Sequence, residues 1–280
     1  MSEFNRLLFG TAGSPLSTPK RNNPIEGVKR IHELGLDCMQ LEFTHGVRMK
    51  EEVSSELRKI SYELNIPLTS HGPYYINLNA REQDKIDSSV ERIIQTAKIS
   101  DLCGADSMTF HAAFYMKDSP YDVFDLVEKS MNVIEERLSR LDIEIELRPE
   151  LTGKTSQFGS LEELIQLTKQ VNSCLLCLDF SHLYARTKKF NTYEEFCSVL
   201  ATIEESLGRE QLENMHVHLS GISSNSKGDL KHLNFEDSDF NWKDLIRALR
   251  HYKCRGHIIS NSPNLEEDAL MLKNYYMSLH

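Results

Sequence analysis

"CLLCLDFSH", Cys174 to His182, is the stretch on which the reading of this chain turns. Its first five residues are apolar, short and free of Gly and Pro, which predicts a buried strand. That strand runs straight into Asp179 and then His182. A carboxylate on a buried strand is costly unless its charge is compensated. Asp179 is therefore expected either to pair with a cation or to hold a metal. Cys174 and Cys177 form a C-x-x-C, but within an apolar run the pair reads as core strand rather than as a redox or zinc motif.

Outward from this stretch the same unit recurs: a short apolar run, a polar turn, then a longer amphipathic segment. The strand candidates are "LLFGTAG" from Leu7, "CMQLEF" from Cys38, "PLTSHG" from Pro67 and "SMTFHA" from Ser107. They continue with "IEIELRPE" from Ile143, "LLCLDF" from Leu175, "NMHVHLSG" from Asn214 and "GHIISN" from Gly256. Between them, stretches such as "SSVERIIQTAKISDLCG" and "YDVFDLVEKSMNVIEERLSRL" repeat apolar residues at helical spacing. Eight such units over roughly 250 residues predict an α/β fold, a (β/α)8 TIM barrel, as one domain spanning residues 1–280. An open doubly wound sheet is the alternative; the barrel is preferred because eight units fill the chain.

With 280 residues and 40% hydrophobic content the chain can build a large core. It has no run of 18 apolar residues, and "MSEFNRLLFG" lacks the basic and apolar regions of a signal peptide. A soluble, cytoplasmic protein without membrane partners is expected, and six scattered cysteines suit a reducing compartment. The formal net charge of −10 argues against coating nucleic acid by bulk attraction. It leaves room for a local basic rim, or for bound metal ions that supply positive charge.

Barrel enzymes keep their chemistry at the C-terminal ends of the strands. Those ends carry His71, His111, Glu150, Asp179 with His182, His218 and Asn261, and the long loop after His218 adds Asp229 and His232. Each has an ordinary structural reading: Glu150 could pair with Arg148, and Asp179 could cap a turn. Converging on one mouth, however, eight His, Asp and Glu groups would repel one another or bury unpaired charge unless cations sat among them. A metal cluster is expected. His32, His45, His216, His251, His257 and His280 are read as helix, loop, strand or terminal residues.

The segments "SHGPYYINL" from Ser70, "FHAAF" from Phe110, "RPELTGKTSQFG" from Arg148, "CLDFSH" and "MHVHLSG" resemble the endonuclease IV family of metal-dependent apurinic/apyrimidinic endonucleases, within the xylose-isomerase-like barrels. The match runs from His71 to the last helix, and the N-terminal "FGTAGSPLSTP" looks closer to divergent archaeal-type members. The resemblance implies up to three metal ions, normally Zn2+, with Mn2+ as a substitute. His71, His111 and Glu150 would hold the first, with Glu150 bridging to a second held also by Asp179 and His218. His182 and His232, with Asp229, would hold the third. The implied reaction is hydrolysis of the phosphodiester 5′ to an abasic site in duplex DNA, centred on Glu150. It leaves a 3′-hydroxyl and a 5′-deoxyribose phosphate, and the protein is expected to act as a monomer. Tyr74, Tyr75 and Arg48 stand where the family inserts side chains into DNA. Two positions depart from the family pattern. Asn261 replaces a strand-eight Glu that ligates the central ion, and the acidic residue normally two before the loop His is Leu230, with Asp229 three before His232. Two other functions fit part of the pattern. A sugar isomerase or epimerase would use Glu150, Asp179 and His218 around one metal, and a low-activity relative would bind metal or DNA without turnover.

Overall fold

The computed structural model describes residues 5–20 and 23–279. Strands and helices alternate from the start: β1 (Leu7–Ala12), α1 (Pro24–Glu33), β2 (Cys38–Glu42), α2 (Glu51–Leu64), β3 (Leu68–His71), α3 (Gln83–Leu102) and β4 (Ala105–Phe110). Then follow α4 (Pro120–Arg140), β5 (Glu146–Pro149), α5 (Leu161–Gln170) and β6 (Cys177–Asp179). Three helices come next, α6 (Phe180–Thr187), α7 (Tyr193–Leu207) and α8 (Arg209–Glu213), before β7 (Met215–Leu219). The chain ends with β8 (Gly221–Asn225), β9 (Gly228–Leu233), α9 (Trp242–His251), β10 (Gly256–Ser260) and α10 (Glu266–Ser278).

Eight strands form one parallel sheet in the order β5-β4-β3-β2-β1-β10-β7-β6. The ring closes across β5 and β6 through backbone bonds rather than a full ladder. Leu147 N donates to Ser173 O at 3.0 Å, Leu175 N to Leu147 O at 2.9 Å, and Leu151 N to Cys177 O at 2.9 Å. That seam distinguishes a barrel from an open sheet. It also explains why β6 is shorter than the apolar run that predicts it, since Cys174 and Leu175 pair only with the edge of β5.

The helices follow from the sequence pattern. In α9, Trp242, Leu245, Ile246 and Leu249 are buried, a three-four spacing that turns one stripe to the barrel. Burying each such Leu or Ile stabilises the fold by about 1.5–3 kcal/mol. Capping boxes start α5 (Ser160 with Glu163) and α7 (Thr192 with Glu195), satisfying backbone donors at the helix entry. Among the described residues no helix is long and apolar enough to cross a membrane.

One element departs from expectation. The segment after β7, read as a long loop, is an antiparallel hairpin in which Ile222 pairs with His232 and Ser223 with Lys231. Its Ser, Lys and Gly content lacks the β-branched alternation that marks a strand. Tertiary contact fixes it. Gly228, at φ 109°, lies so close to the β5–α5 connection that an added Cβ would stand 2.0 Å from the Gly153 carbonyl oxygen. Only glycine lets the hairpin lie there.

Candidate metal centre

Asp179 ends β6 and also caps α6, its Oδ1 accepting from His182 N at 2.7 Å. The cap places His182 in the first turn of α6, so one local motif delivers both side chains. Ser181 pins this turn to the end of β7, its Oγ donating to Ser220 O at 2.7 Å and accepting from Ser220 N at 3.0 Å. The capping role expected as the structural alternative for Asp179 is real, but it occupies one oxygen. Oδ2 is buried with no hydrogen-bond partner and lies 3.4 Å from His182 Nδ1.

Glu150 stands at the centre, 2% exposed. His218 Nδ1 and His182 Nδ1 lie 3.2 and 3.5 Å from its Oε1, and His71 Nε2 and His111 Nε2 lie 3.1 and 3.8 Å from its Oε2. Arg148 does not pair with it. The guanidinium turns to Glu146, with Nη2 2.7 Å from Oε2, and donates to Leu176 O and to Asn214. Four imidazoles from four strand ends therefore surround one carboxylate.

Backbone carbonyls, which only accept, orient three of the mouth imidazoles. His71 Nδ1 donates to Gly72 O at 2.7 Å, His182 Nδ1 to Leu151 O at 3.1 Å, and His232 Nδ1 to Asn261 O at 3.1 Å. Each ring is left with Nε2 as the site for a further ligand or proton. The Nε2 atoms of His182 and His232 face each other at 3.4 Å.

Burial opposes charge on Glu150, but the fields of His218 and His111 and hydrogen bonds from His182 and His218 hold its carboxyl well below the usual range. Burial also opposes charge on His182, and the carboxylates of Asp179 and Glu150 outweigh it, lifting that imidazole to about 9. Burial and the neighbouring imidazoles push His111 down to about 4. Burial and Glu150 raise the Asp179 carboxyl even against the pull of His182. Two buried carboxylates within one cluster thus oppose each other's charge, and a cation between them would relieve both.

The donor set fits divalent metal. Three overlapping triads, His71–His111–Glu150, Glu150–Asp179–His218 and Asp179–His182–His232, each hold ligand atoms within 4.8 Å of one another. Asp179 Oδ2, His111 Nδ1 and Asn261 Oδ1 are buried without hydrogen-bond partners. Mixed nitrogen and oxygen donors of this kind suit zinc or a similar ion. The acid grouped with His182 and His232 is Asp179. Asp229, expected in that place, lines the same cavity from β9 beside Gly153.

The cavity above the cluster is about 600 Å³ and is lined by His71, Tyr74, His111, Glu150, His182, Asp229, His232 and Asn261, among others. Tyr74 is 55% exposed and meets His71 edge-on, with ring centroids 5.4 Å apart. Tyr75 and Arg48 do not line it. Tyr75 lies under the Arg92 guanidinium, 4.9 Å from its ring centroid, and Arg48 borders a neighbouring cavity with His45 and Met49. Cys174 and Cys177 are buried free thiols, and Cys177 groups with His216 and His218 beneath the mouth. His280 lies outside the described residues.

Sequence reading passed over Gln40, Glu42 and Lys154, which also line the cavity. The first two were findable: they alternate along β2 and reach its C-terminal end, where the barrel rule directs attention. Lys154 lies in "RPELTGKTSQFG", but only the fold turns it toward the mouth.

The xylose isomerase-like TIM barrel family model matches residues 28–275. A protein of Methanocaldococcus jannaschii is 39% identical over 274 residues, covering 98% of each chain. A probable endonuclease 4 of Aster yellows witches'-broom phytoplasma is 26% identical over 203 residues, 70% of this chain and 68% of that one. Among solved structures, endonuclease IV from Thermus thermophilus superposes with TM-score 0.72 at 21% identity, covering 95% of this chain and 98% of that one. A D-tagatose 3-epimerase-like protein gives TM-score 0.66 at 16% identity, covering 90% and 91%.

Proposed function

The chain belongs to the xylose isomerase-like TIM barrel family, and from that premise we propose that it is a metal-dependent endonuclease hydrolysing the phosphodiester 5′ to abasic sites in duplex DNA. The observation that carries this reading is the set of three donor triads joined through Glu150 and Asp179. A single-metal enzyme needs one triad, whereas several adjacent cations suit phosphodiester hydrolysis, where they can stabilise both the attacking and the leaving oxygen. Similarity to a probable endonuclease 4 and to the fold of endonuclease IV supports it.

Zinc-type cations, or Mn2+, bound in the triads supply Lewis acidity that makes water more acidic and neutralises phosphoryl charge. His71, His111, His182, His218 and His232 would hold them as neutral imidazoles, and Asp179 and Glu150 would provide the anionic oxygens, each shared by two triads. Glu150, ionised at neutral pH, orients the attacking water by accepting its hydrogen bond. Lys154 and Tyr74, on the cavity wall, contact the DNA phosphates and the groove. Arg48 and Tyr75, outside the cavity, contact duplex DNA flanking the site, and Asp229 and Asn261, which line the cavity, would help hold the ions.

The test is incision of a duplex carrying one tetrahydrofuran abasic analogue by zinc-loaded or manganese-loaded protein. The expected outcome is a single nick on the 5′ side with a 3′-hydroxyl end; intact duplex sinks the reading. The epimerase reading draws on the Glu150–Asp179–His218 triad alone and on the fold of the epimerase-like neighbour. It predicts one divalent ion per chain where the endonuclease reading predicts three, and elemental analysis separates them.

A further inference from the structure

His218 is oriented differently from the other mouth histidines. Where His71, His182 and His232 give Nδ1–H to backbone carbonyls, His218 places Nε2 2.8 Å from the side-chain oxygen of Gln40 and Nδ1 3.2 Å from Glu150 Oε1. His216, two residues earlier on β7, aims its own Nε2 at the same Gln40 oxygen, at 3.1 Å, and its Nδ1 lies 3.2 Å from Ser107 Oγ. The two Nε2 atoms are 3.2 Å apart.

The direction of these bonds is settled at the cavity mouth. The amide nitrogen of Gln40 lies 2.8 Å from Glu42 Oε1. An ionised carboxylate only accepts, so the nitrogen of Gln40 must face Glu42 and its oxygen must face inward. That oxygen likewise only accepts, so both imidazoles present Nε2–H to it. Nε2 of His218 therefore keeps its proton, and Nδ1, which faces Glu150 within the triad Glu150–Asp179–His218, is the nitrogen whose proton a bound cation can replace.

We propose that Glu42 and Gln40 are positioning residues whose polarity fixes the tautomer of His218, so that Nδ1 is the atom presented to a divalent cation beside Glu150 and Asp179. Partners of this kind set ring orientation and the basicity of a ligating imidazole. Without the Gln40 oxygen, the facing Nε2 atoms of His216 and His218 can bond directly to each other. That exchange lets His218 carry its proton on Nδ1 and removes the lone pair from the triad. The relay rests on reading the mouth as a metal centre and is independent of DNA as substrate.

Long-range 15N–1H correlation spectra of uniformly labelled protein test it. Metal-free protein is expected to show His216 protonated on Nε2, and zinc-loaded protein to show His218 protonated on Nε2 and ligating through Nδ1. Gln40→Leu should weaken zinc binding by about 10- to 100-fold in chelator competition, and Glu42→Gln by a smaller factor because Gln40 is then free to turn over. His216 protonated on Nδ1, His218 ligating through Nε2, or wild-type zinc affinity in Gln40→Leu each overturns the proposal. The spectra of the native chain decide it even if Gln40→Leu fails to fold. Protein that takes up no zinc overturns the relay together with the metal reading. A three-zinc nuclease with the opposite His218 tautomer overturns the relay alone.

Discussion

Glu146 and Glu150 lie on one strand line and share a face of the barrel, yet their surroundings differ in kind. Glu146 receives Arg148 through Nε at 3.2 Å and Nη2 at 2.7 Å, and Asn214 Nδ2 at 2.7 Å. Arg148, 1% exposed, gives its remaining donors to Leu176 O and Asn214. This inner layer is closed, with opposite charges matched and donors spent on acceptors. One layer higher, Glu150 and Asp179 face titratable imidazoles rather than a guanidinium, and Asp179 Oδ2, His111 Nδ1 and Asn261 Oδ1 are left without partners. Buried polar groups in a folded protein are normally hydrogen-bonded, and exceptions call for an explanation. The contrast teaches that a closed network of buried charges serves the fold, whereas an open one at a strand end is built to receive something.

The largest effect expected is at the centre of the open layer. Glu150→Ala removes an oxygen ligand from two triads, so metal content should fall and incision of an abasic duplex should drop by at least about 10³-fold. A variant near the wild-type rate would place the centre elsewhere. In the closed layer, Arg148→Ala leaves the half-buried Glu146 with only Asn214. Breaking a fully buried pair costs about 3–5 kcal/mol, and the loss here should be smaller because water reaches Glu146; it is read by urea denaturation, while protein that still folds should keep its metal complement. Equal metal loss in both variants would erase the distinction between the layers.

A moderate effect is expected from pH on metal-free protein. The pKa of His182 is raised from 6.5 to about 9. Its contribution is fully present below pH 6.5 and is lost as pH rises through 9. His111 is lowered from 6.5 to about 4, so its contribution is present above pH 6.5 and is lost as pH falls through 4. Stability measured by denaturation should therefore decline on both sides of neutrality, and metal loading should remove the alkaline decline by replacing the proton on His182. A flat profile without metal would show that these imidazoles are not held against Glu150 and Asp179 in the open layer. The smallest effect is at Asn261, where an amide stands among carboxylates. Asn261→Glu should tighten the weakest-bound ion about tenfold, roughly 1.4 kcal/mol, in metal titration. Unchanged affinity would mean that position 261 has left the metal layer.

Much of this was legible because barrel strands carry their chemistry at one end. The placement of His71, His111, Glu150, Asp179, His182 and His218 needs only the eight apolar runs and the rule that their C-terminal ends converge. The hairpin was not legible, since Ser223, Lys227 and Gly228 carry no strand signal and their pairing depends on the close approach to Gly153. The resemblance puts Asp229 with His182 and His232, and Asp229 does line the same cavity; that Asp179 also groups with His232 is a matter of space, since the two are distant in sequence. Gln40 and Glu42 carried the strand-end signal, but an amide and a carboxylate on an apolar strand do not reveal that Gln40 links Glu42 to two histidines of β7.

The sequence by itself determined which barrel strands form, which residues stand at their ends and that those residues are ligand types, because periodicity and residue chemistry are local properties. Only the tertiary structure decided which carboxylate serves which imidazole, that Arg148 belongs to Glu146, that a hairpin brings His232 to His182, and which nitrogen of His218 faces Glu150. Hydrogen-bond direction and ligand grouping depend on ångström distances between segments far apart in the chain, and those distances exist only once the barrel has closed.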